Sequence, residues 1–185
     1  MKDQVIEQLN SLSGSLSIES IKDRLKEMIA IPSDNPMAGE PRPGHREKEI
    51  GEYYLEQMSQ LGMAVSSRDA APGRPNVFGT RQGGGARPSL MLCGHLDTVP
   101  AEGYEQAYWA READGRIYGR GSCDMKAGLA CYLEVVRLLQ EADVQLQGTL
   151  MLCGVADEEW QMIGSREIGL NGPMADQCII GEPSD

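Results

Sequence analysis

The stretches "LMLCGHLD" at residues 90–97 and "LMLCGVAD" at residues 150–157 decide the fold of this chain. Each begins with a continuous apolar run of strand length, which is typical of a strand that is covered on both faces. Between them, "MKAGLACYLEVVRLLQEA" at residues 125–142 has apolar residues at helical spacing. A strand, a long loop, a helix and a second strand form a crossover unit, which predicts that the two "LMLCG" strands lie parallel in one sheet.

Two further helices and three further strands are predicted outside this unit. The first helix is expected over "SIESIKDRLKEMIAI" with Ser17 as its N-cap, and the second over "EKEIGEYYLEQMSQLG" with Gly62 at its C-terminal end. The strands are expected at "MAVSS" (63–67), "NVFGT" (76–80) and "QCIIG" (177–181). This order predicts the α/β class, with a mostly parallel sheet flanked by helices.

The chain of 185 residues is acidic, with 28 Asp and Glu against 17 Lys and Arg. No basic stripe offsets this charge, so no nucleic-acid partner is expected. The apolar runs are too short to cross a bilayer and no export signal is evident, so we expect no membrane partner and a cytoplasmic location. The cysteines are odd in number and lack C-x-x-C spacing, which predicts buried, reduced thiols at Cys93, Cys123, Cys131, Cys153 and Cys178.

Acidic segments follow the predicted strands and the long loop. They are "GHLDTVP" (94–100), "GRGSCDMKAG" (119–128), "ADEEWQMIGS" (156–165) and "EPSD" (182–185). Because the carboxyl ends of parallel strands meet at one rim of a sheet, where ligands bind, we expect these segments to converge. The converging side chains are His95, Asp97, Asp124, Asp157, Glu158, Glu159 and Glu182.

So many carboxylates cannot share one pocket without compensation, and divalent cations would supply it. An imidazole with several carboxylates suits zinc, with cobalt or manganese as substitutes. His95 and Asp97 are two residues apart on an extended segment, so Asp97 is expected to hold the second imidazole nitrogen. Glu158 and Glu159 are adjacent, so on extended backbone their side chains would point apart.

Each of these residues also has a structural interpretation when it is taken alone. Asp124 before a helix is by default a cap, and adjacent glutamates are usually a solvated pair. Their joint occurrence at successive strand ends favours the site. His45 stays an exposed loop residue, whereas Trp109 and Trp160 are assigned to core packing and Arg111 to solvated charge, although all three could line a pocket.

In order and spacing, "GHLDTVP", "GRGSCDMKAG", "DEEWQMIGS" and "IGEPSD" resemble the signature segments of the M20 metallopeptidases. This family includes acetylornithine deacetylase, succinyl-diaminopimelate desuccinylase, aminoacylase-1 and carboxypeptidase G2. "RPNVFG" at residues 74–79 resembles the family's segment ahead of the metal strand. The resemblance implies a zinc-peptidase-like catalytic domain that hydrolyses amide bonds in N-acyl amino acids or small peptides.

The resemblance also implies a metal centre with two zinc ions. His95 and Glu182 would bind one ion, Asp124 would bridge both, and Glu159 would bind the second. Glu158 would be the general base that takes a proton from the attacking water, and Asp97 would orient His95.

Members of this family are longer, and in them a lid domain interrupts the catalytic domain. The resemblance therefore implies that residues 1–185 are the N-terminal portion of the catalytic domain, with no second domain and without the lid, the C-terminal part and a late histidine ligand. We expect a fragment rather than a natural short form, with partial metal occupancy and little activity on its own. Uncovered apolar surface would favour a homo-oligomer or a complementary segment as partner.

Two functions of other classes remain as alternatives. One is a non-catalytic relative that keeps the fold for binding or assembly, against which the presence of Glu158 argues, because binding alone needs no base. The other is a calcium module, which is disfavoured because the chain has no D-x-D-x-D-G loop and calcium sites seldom use histidine.

Overall fold

The computed structural model describes residues 10–39, 47–85 and 87–184, and His45 lies outside these ranges. A five-stranded sheet forms its centre, and a two-stranded hairpin lies beside it. Besides a helical segment at residues 10–14, the helices are α1 (Ile18–Ile29), α2 (Lys48–Gln60), α3 (Lys126–Glu141) and α4 (Ile163–Asn171). The strands are β1 (Ala64–Ala71), β2 (Arg74–Arg81), β3 (Leu90–His95), β4 (Arg111–Ala113), β5 (Arg116–Tyr118), β6 (Leu150–Val155) and β7 (Gln177–Ile180).

The two "LMLCG" strands lie side by side and parallel, which confirms the prediction. They pair in register, so that Leu90 lies beside Leu150 and Gly94 beside Gly154. The strand order is β1-β2-β6-β3-β7, and β7 is parallel to β3 on its other side. The pairings of β1 with β2 and of β2 with β6 are antiparallel. The sheet is therefore mixed, and its parallel part is the three strands whose carboxyl ends carry acidic segments.

The paired glycines of these strands are explained by what packs over them. A Cβ atom on Gly94 would lie 2.5 Å from Met125 Cε, and one on Gly154 would lie 2.7 Å from Leu96 Cδ2. Both distances are shorter than real Cβ contacts, so a larger residue would force a shift. The repeated pentapeptide thus reflects two adjacent positions of close packing.

The three predicted helices form, and their ends follow local chemistry. Ser17 caps α1, since its hydroxyl accepts the Ser20 N–H at 3.1 Å. Past the end of α2, Gly62 adopts φ +73°, a left-handed conformation that favours glycine. The hairpin β4–β5 and helix α4 were not predicted. The hairpin turns at Asp114–Gly115, where both residues have positive φ.

The main core lies between the sheet and helices α1, α2 and α3, and includes Met28, Ile50, Tyr54, Leu133 and Leu152. A smaller cluster on the other face contains Phe78, Met91, Cys153 and Val155, with Ile168 of α4 packed against it. This second face is less covered, because Leu170, Met174 and Ile180 are more than half exposed. In the described part of the chain no helix has the length and apolarity that crossing a bilayer requires.

All five cysteines are free thiols, but the prediction that they are buried is wrong for three of them. Cys123, Cys131 and Cys178 are exposed, whereas Cys153 is buried and Cys93 is partly covered. Cys123 lies in a turn before α3, Cys131 lies on the outer side of α3, and Cys178 lies on the edge strand β7. An apolar run in the sequence therefore does not show which face of the resulting helix or strand is buried.

Candidate metal centre

His95 is the last residue of β3 and its imidazole is buried. Its Nδ1 lies 2.8 Å from the main-chain carbonyl oxygen of Asp97 and 3.6 Å from the nearer Asp97 carboxylate oxygen. With a proton on Nδ1, that nitrogen donates to the carbonyl and leaves the Nε2 lone pair free to bind a cation. Asp97 therefore orients the ring through its backbone, whereas its side chain has other partners.

Several carboxylates surround Nε2 of His95. The distances from this nitrogen are 3.0 Å to Asp124 Oδ1, 3.7 Å to Glu182 Oε2 and 4.0 Å to Glu158 Oε2. Ligand atoms of His95, Asp124 and Glu159 all lie within 4.8 Å of one another. The structure thus brings together all the predicted ligands and the predicted base, and Glu159 joins His95 and Asp124 in the most compact group.

The electrostatics of the group favour added positive charge. Burial alone would lower the pKa of His95, but the Asp97, Asp124 and Glu182 carboxylates outweigh it and raise the pKa. Burial raises the pKa of Glu159 and Glu182, and the nearby Asp124 charge raises both further. Each shift reports an excess of negative charge in a partly dry site, which a divalent cation relieves. The imidazole and carboxylate donors therefore fit a borderline or hard divalent metal.

The Asp97 carboxylate connects the loop after β3 to the loop after β6. It is fully buried, and it accepts the N–H groups of Glu158 and Glu159, each at 3.1 Å. It also accepts a hydrogen bond from Asn35 Nδ2 at 2.7 Å. The main chain of both glutamates is thereby held close to the loop of His95.

Glu158 and Glu159 lie in a turn and not on extended backbone. The expectation that their side chains point apart applied to extended backbone only. The Glu159 carboxylate also accepts the Val99 N–H at 3.1 Å. The Glu158 side chain lies at the rim of the site and is 34% exposed. Adjacent residues thus reach the same group of atoms because the chain turns there.

Asp157 converges with these residues but supports the loop instead of facing His95. It has φ +64°, and its carboxylate accepts hydrogen bonds from Arg74 Nη1 at 2.7 Å, Asn35 Nδ2 at 2.9 Å and the Gln161 N–H at 3.1 Å. The buried Glu47 carboxylate accepts the Asp157 N–H at 3.0 Å and pairs with Arg74. The start of the loop after β6 is thus fixed from both main chain and side chain.

Three residues of this supporting network were not predicted from the sequence, namely Asn35, Glu47 and Arg74. In the sequence, Arg74 is only part of the resembling segment "RPNVFG", and no role in a site is predicted for Asn35 or Glu47. A charged residue at the start of an otherwise buried strand was the one available signal for Arg74. No periodicity marks Asn35 or Glu47.

The two tryptophans contradict their assignment to the core. Trp109 is 71% exposed and Trp160 is 49% exposed, because both lie on surface turns and not within helices or strands. Arg111 is exposed as expected, and its guanidinium lies 4.3 Å from the centre of the Tyr118 ring.

Comparison with known proteins agrees with this arrangement. The sequence model of the peptidase family M20/M25/M40 matches residues 91–185, which include every predicted ligand. The chain belongs to this family. The family contains metal-dependent hydrolases of the peptidase and deacylase types.

The relatives are deacylases and peptidases. The chain is 32% identical to N-formyl-4-amino-5-aminomethyl-2-methylpyrimidine deformylase of Bacillus subtilis over 90% of this chain and 41% of that protein. It is 29% identical to acetylornithine deacetylase of Vibrio atlanticus over 83% of this chain and 41% of that protein. A tripeptidase of Staphylococcus aureus superimposes with a TM-score of 0.73 at 25% identity, over 92% of this chain and 44% of that one. The chain thus spans less than half the length of these relatives.

Proposed function

We propose that residues 1–185 are the N-terminal portion of the catalytic domain of a zinc-dependent hydrolase that cleaves amide bonds in N-acyl amino acids or small peptides. The observation that carries this proposal is the group formed by His95 Nε2, Asp124 and Glu159, whose ligand atoms all lie within 4.8 Å of one another. A Glu158 carboxylate oxygen lies beside this group, 4.0 Å from Nε2.

Four residues would hold the two ions of the complete site. Asp124 would bridge the two ions, as the resemblance to the family implies; its Oδ1 lies 3.0 Å from His95 Nε2, and its side chain is half exposed, at 49%. Glu182 would share the ion of His95, and Glu159 would bind the other. When bound, the ions polarise the substrate carbonyl and lower the pKa of water.

Glu158 would serve as the general base. Its main-chain N–H donates to the Asp97 carboxylate, and its own side chain is 34% exposed at the rim of the site. There it would take a proton from water during attack on the amide carbonyl and deliver that proton to the leaving amine nitrogen. Asp97 would act on the same step by fixing His95 and the main chain of Glu158.

Three other parts of the proposal rest on separate observations. The names of the deformylase and deacetylase relatives favour a small N-acyl substrate. The five free thiols favour a reducing compartment, namely the cytoplasm. The exposed apolar residues Leu170, Met174 and Ile180 favour contact with a second copy or with a complementary segment.

The metal part of the proposal is tested by zinc titration calorimetry on the chain after dialysis against chelator. We expect one ion bound firmly and the second weakly, since His95 is the one histidine within the described ranges. Two tightly held zinc ions per chain would contradict the expected partial occupancy. No zinc binding at all would reject the metal centre.

The catalytic part is tested by assaying amine release from N-formyl, N-acetyl and N-succinyl amino acids. The assay uses the full-length protein, because the isolated chain is expected to be weakly active. Glu158→Gln should lower the rate about 10²–10⁴-fold while zinc affinity is kept. Full activity in this variant would remove Glu158 from its role, and no activity in the parent protein would favour a non-catalytic relative.

A further inference from the structure

Asn35 lies in a buried segment that runs beside the loop after β3. Asp34 and Thr98 form an isolated parallel bridge. On either side of it, the Asn35 N–H donates to the Thr98 carbonyl at 2.8 Å and the Thr98 N–H donates to the Ser33 carbonyl at 3.0 Å. Ser33 and Asn35 are fully buried. The backbone of Asn35 is therefore fixed relative to the loop that follows His95.

All the polar atoms of the Asn35 side chain are used. Its Nδ2 donates to Asp97 Oδ2 at 2.7 Å and to Asp157 Oδ1 at 2.9 Å, and its Oδ1 accepts the Met37 N–H at 2.8 Å. The reverse orientation of the amide would place its oxygen against two carboxylates and its nitrogen against an N–H group. The network therefore determines the orientation of this amide.

The two carboxylates that Asn35 joins belong to different loops. Asp97 follows β3, and Asp157 follows β6. Asp97 in turn holds the N–H groups of Glu158 and Glu159. One side-chain amide thus connects the loop of His95 to the loop that contains the base and one ligand.

We propose that Asn35 is a positioning residue of the metal centre, which sets the spacing between the two ligand loops by bridging Asp97 and Asp157. This role rests on the proposed function, because it concerns how the chain's own ligands are held. Asn35 touches neither His95 nor the carboxylate groups of Glu158 and Glu159 among the hydrogen bonds of the described residues. It acts on them through Asp97.

An uncharged donor is the group that this position requires. Arg74 already lies against Asp157, whereas Asp97 has no lysine or arginine partner in the part of the chain that the structure describes. A cation at position 35 would neutralise Asp97 and weaken the negative field around His95. A carboxylate there would add a third buried negative charge, and serine is too short to reach both partners.

The test compares Asn35→Asp with Asn76→Asp. Asp has the size of Asn and keeps the acceptor for Met37, but it removes the two donated bonds and adds a buried negative charge, which the control substitution at Asn76 also adds. Asn76 is the matched control, because it is equally buried, donates to the Gly164 carbonyl at 2.9 Å and accepts the Ala156 N–H at 3.0 Å. It has no hydrogen bond to Asp97 within the described ranges.

The measurements are Co²⁺ affinity, the visible spectrum of the Co²⁺-saturated protein, and thermal unfolding in the presence of chelator. Asn35→Asp should bind Co²⁺ roughly 10–100-fold more weakly, with an altered spectrum at saturation. Asn76→Asp should lose thermal stability but keep both the affinity and the spectrum of the folded protein. If Asn35→Asp does not fold, Asn35→Ser and Asn76→Ser replace the pair, because serine introduces no charge.

Three outcomes would overturn this role. The first is wild-type affinity and spectrum in the Asn35 variants, and the second is an equal loss of affinity in the Asn76 variants. The third is the absence of Co²⁺ binding in the wild-type chain, which would reject the proposed metal centre and with it any positioning role. The first two leave the proposed function intact, so the two failures are distinguishable.

Discussion

The two "LMLCG" strands are neighbours in register, yet the loops that follow them are built differently. The loop after β3 runs beside residues 33–35 and is held mainly by main-chain hydrogen bonds through Thr98. The loop after β6 turns at Asp157 and again at Met162, both with positive φ, and is held by the Asp157 carboxylate. The two identical strand segments thus place the starts of both loops side by side. The buried polar contacts of each loop then determine the positions of its metal-ligand residues.

The contrast is sharpest in the aspartates that end the two quoted stretches. Asp97 and Asp157 occupy equivalent positions in "LMLCGHLD" and "LMLCGVAD", and both are buried. Asp157 pairs with Arg74, whereas the ionisable side chain nearest to Asp97 is the imidazole of His95. One aspartate therefore belongs to the structural support and the other to the electrostatics of the metal centre.

The largest effect is expected from the same substitution at these two positions. In Asp97→Asn the new NH2 group replaces one carboxylate oxygen and opposes the N–H group of either Glu158 or Glu159, so zinc affinity should fall roughly 10–100-fold. Asp157→Asn tolerates the positive φ and should mainly lower the free energy of unfolding, by about 1.5–3 kcal/mol for the lost charged hydrogen bond to Arg74. Calorimetric zinc titration and urea unfolding measure the two quantities.

Equal losses of zinc affinity in the two variants would break this contrast. In that case both aspartates would act on the metal centre in the same way. A loss of affinity confined to Asp157→Asn would reverse the assignment.

A smaller effect is expected at Glu134, a buried carboxylate of α3 remote from both loops. It accepts the Ser17 N–H at 2.8 Å and pairs with Arg24 and Arg137. Burial would raise the pKa of Glu134, but Arg137 and the Ser17 N–H outweigh it and lower the pKa to about 2. The stabilisation by ionised Glu134 is therefore fully present at pH values above the ordinary pKa of a glutamate. It is lost as the pH falls through about 2.

Glu134→Gln should lower the free energy of unfolding by roughly 2–3 kcal/mol near neutral pH, since each pKa unit corresponds to about 1.4 kcal/mol. The difference from wild type should shrink as the pH falls from about 5 towards 2, and zinc affinity should not change. Glu141→Gln is the control, because Glu141 pairs with Arg137 but is 62% exposed and should cost less than about 0.5 kcal/mol. A pH-independent difference at Glu134 would contradict the ion-pair interpretation.

The sequence predicted the parts of this fold that depend on local pattern. Ser17 as a cap, the parallel "LMLCG" strands and the meeting of His95 with the acidic segments follow from capping, periodicity and strand direction. The β4–β5 hairpin was overlooked although Asp114–Gly115 is a recognised turn signal.

The supporting network could not be predicted, for a physical reason. Asn35, Glu47 and Arg74 are polar residues whose burial depends on partners distant in sequence, such as Asp157. The turn at Glu158 and Glu159 likewise depends on contacts with Asp97. Local patterns contain no information about such partners.

The smallest effects are expected at the glycines of the two strands. There the loss of stability on substitution by alanine should depend on how easily the side chains packed over each glycine can move. A Cβ on Gly154 meets Leu96 Cδ2 at 2.7 Å and Val77 Cγ2 at 3.0 Å, and both are branched core residues. A Cβ on Gly94 meets mainly the flexible end of Met125, at 2.5 Å from Cε and 2.9 Å from Sδ, together with one branched residue, Leu129, at 2.9 Å from Cδ2. Gly154→Ala should therefore cost about 1–3 kcal/mol in urea unfolding, and Gly94→Ala less.

Gly84 supplies the control, because a Cβ there meets no atom within 4 Å, and Gly84→Ala should change stability by less than about 0.5 kcal/mol. A larger cost at Gly94 than at Gly154 would show that Met125 and Leu129 cannot move aside. Since the Met125 sulfur accepts the His95 N–H at 3.0 Å and Met125 follows Asp124, that result would mean the ligand-bearing segments restrain it. The order of these two costs therefore measures how rigidly the metal centre is attached to the sheet.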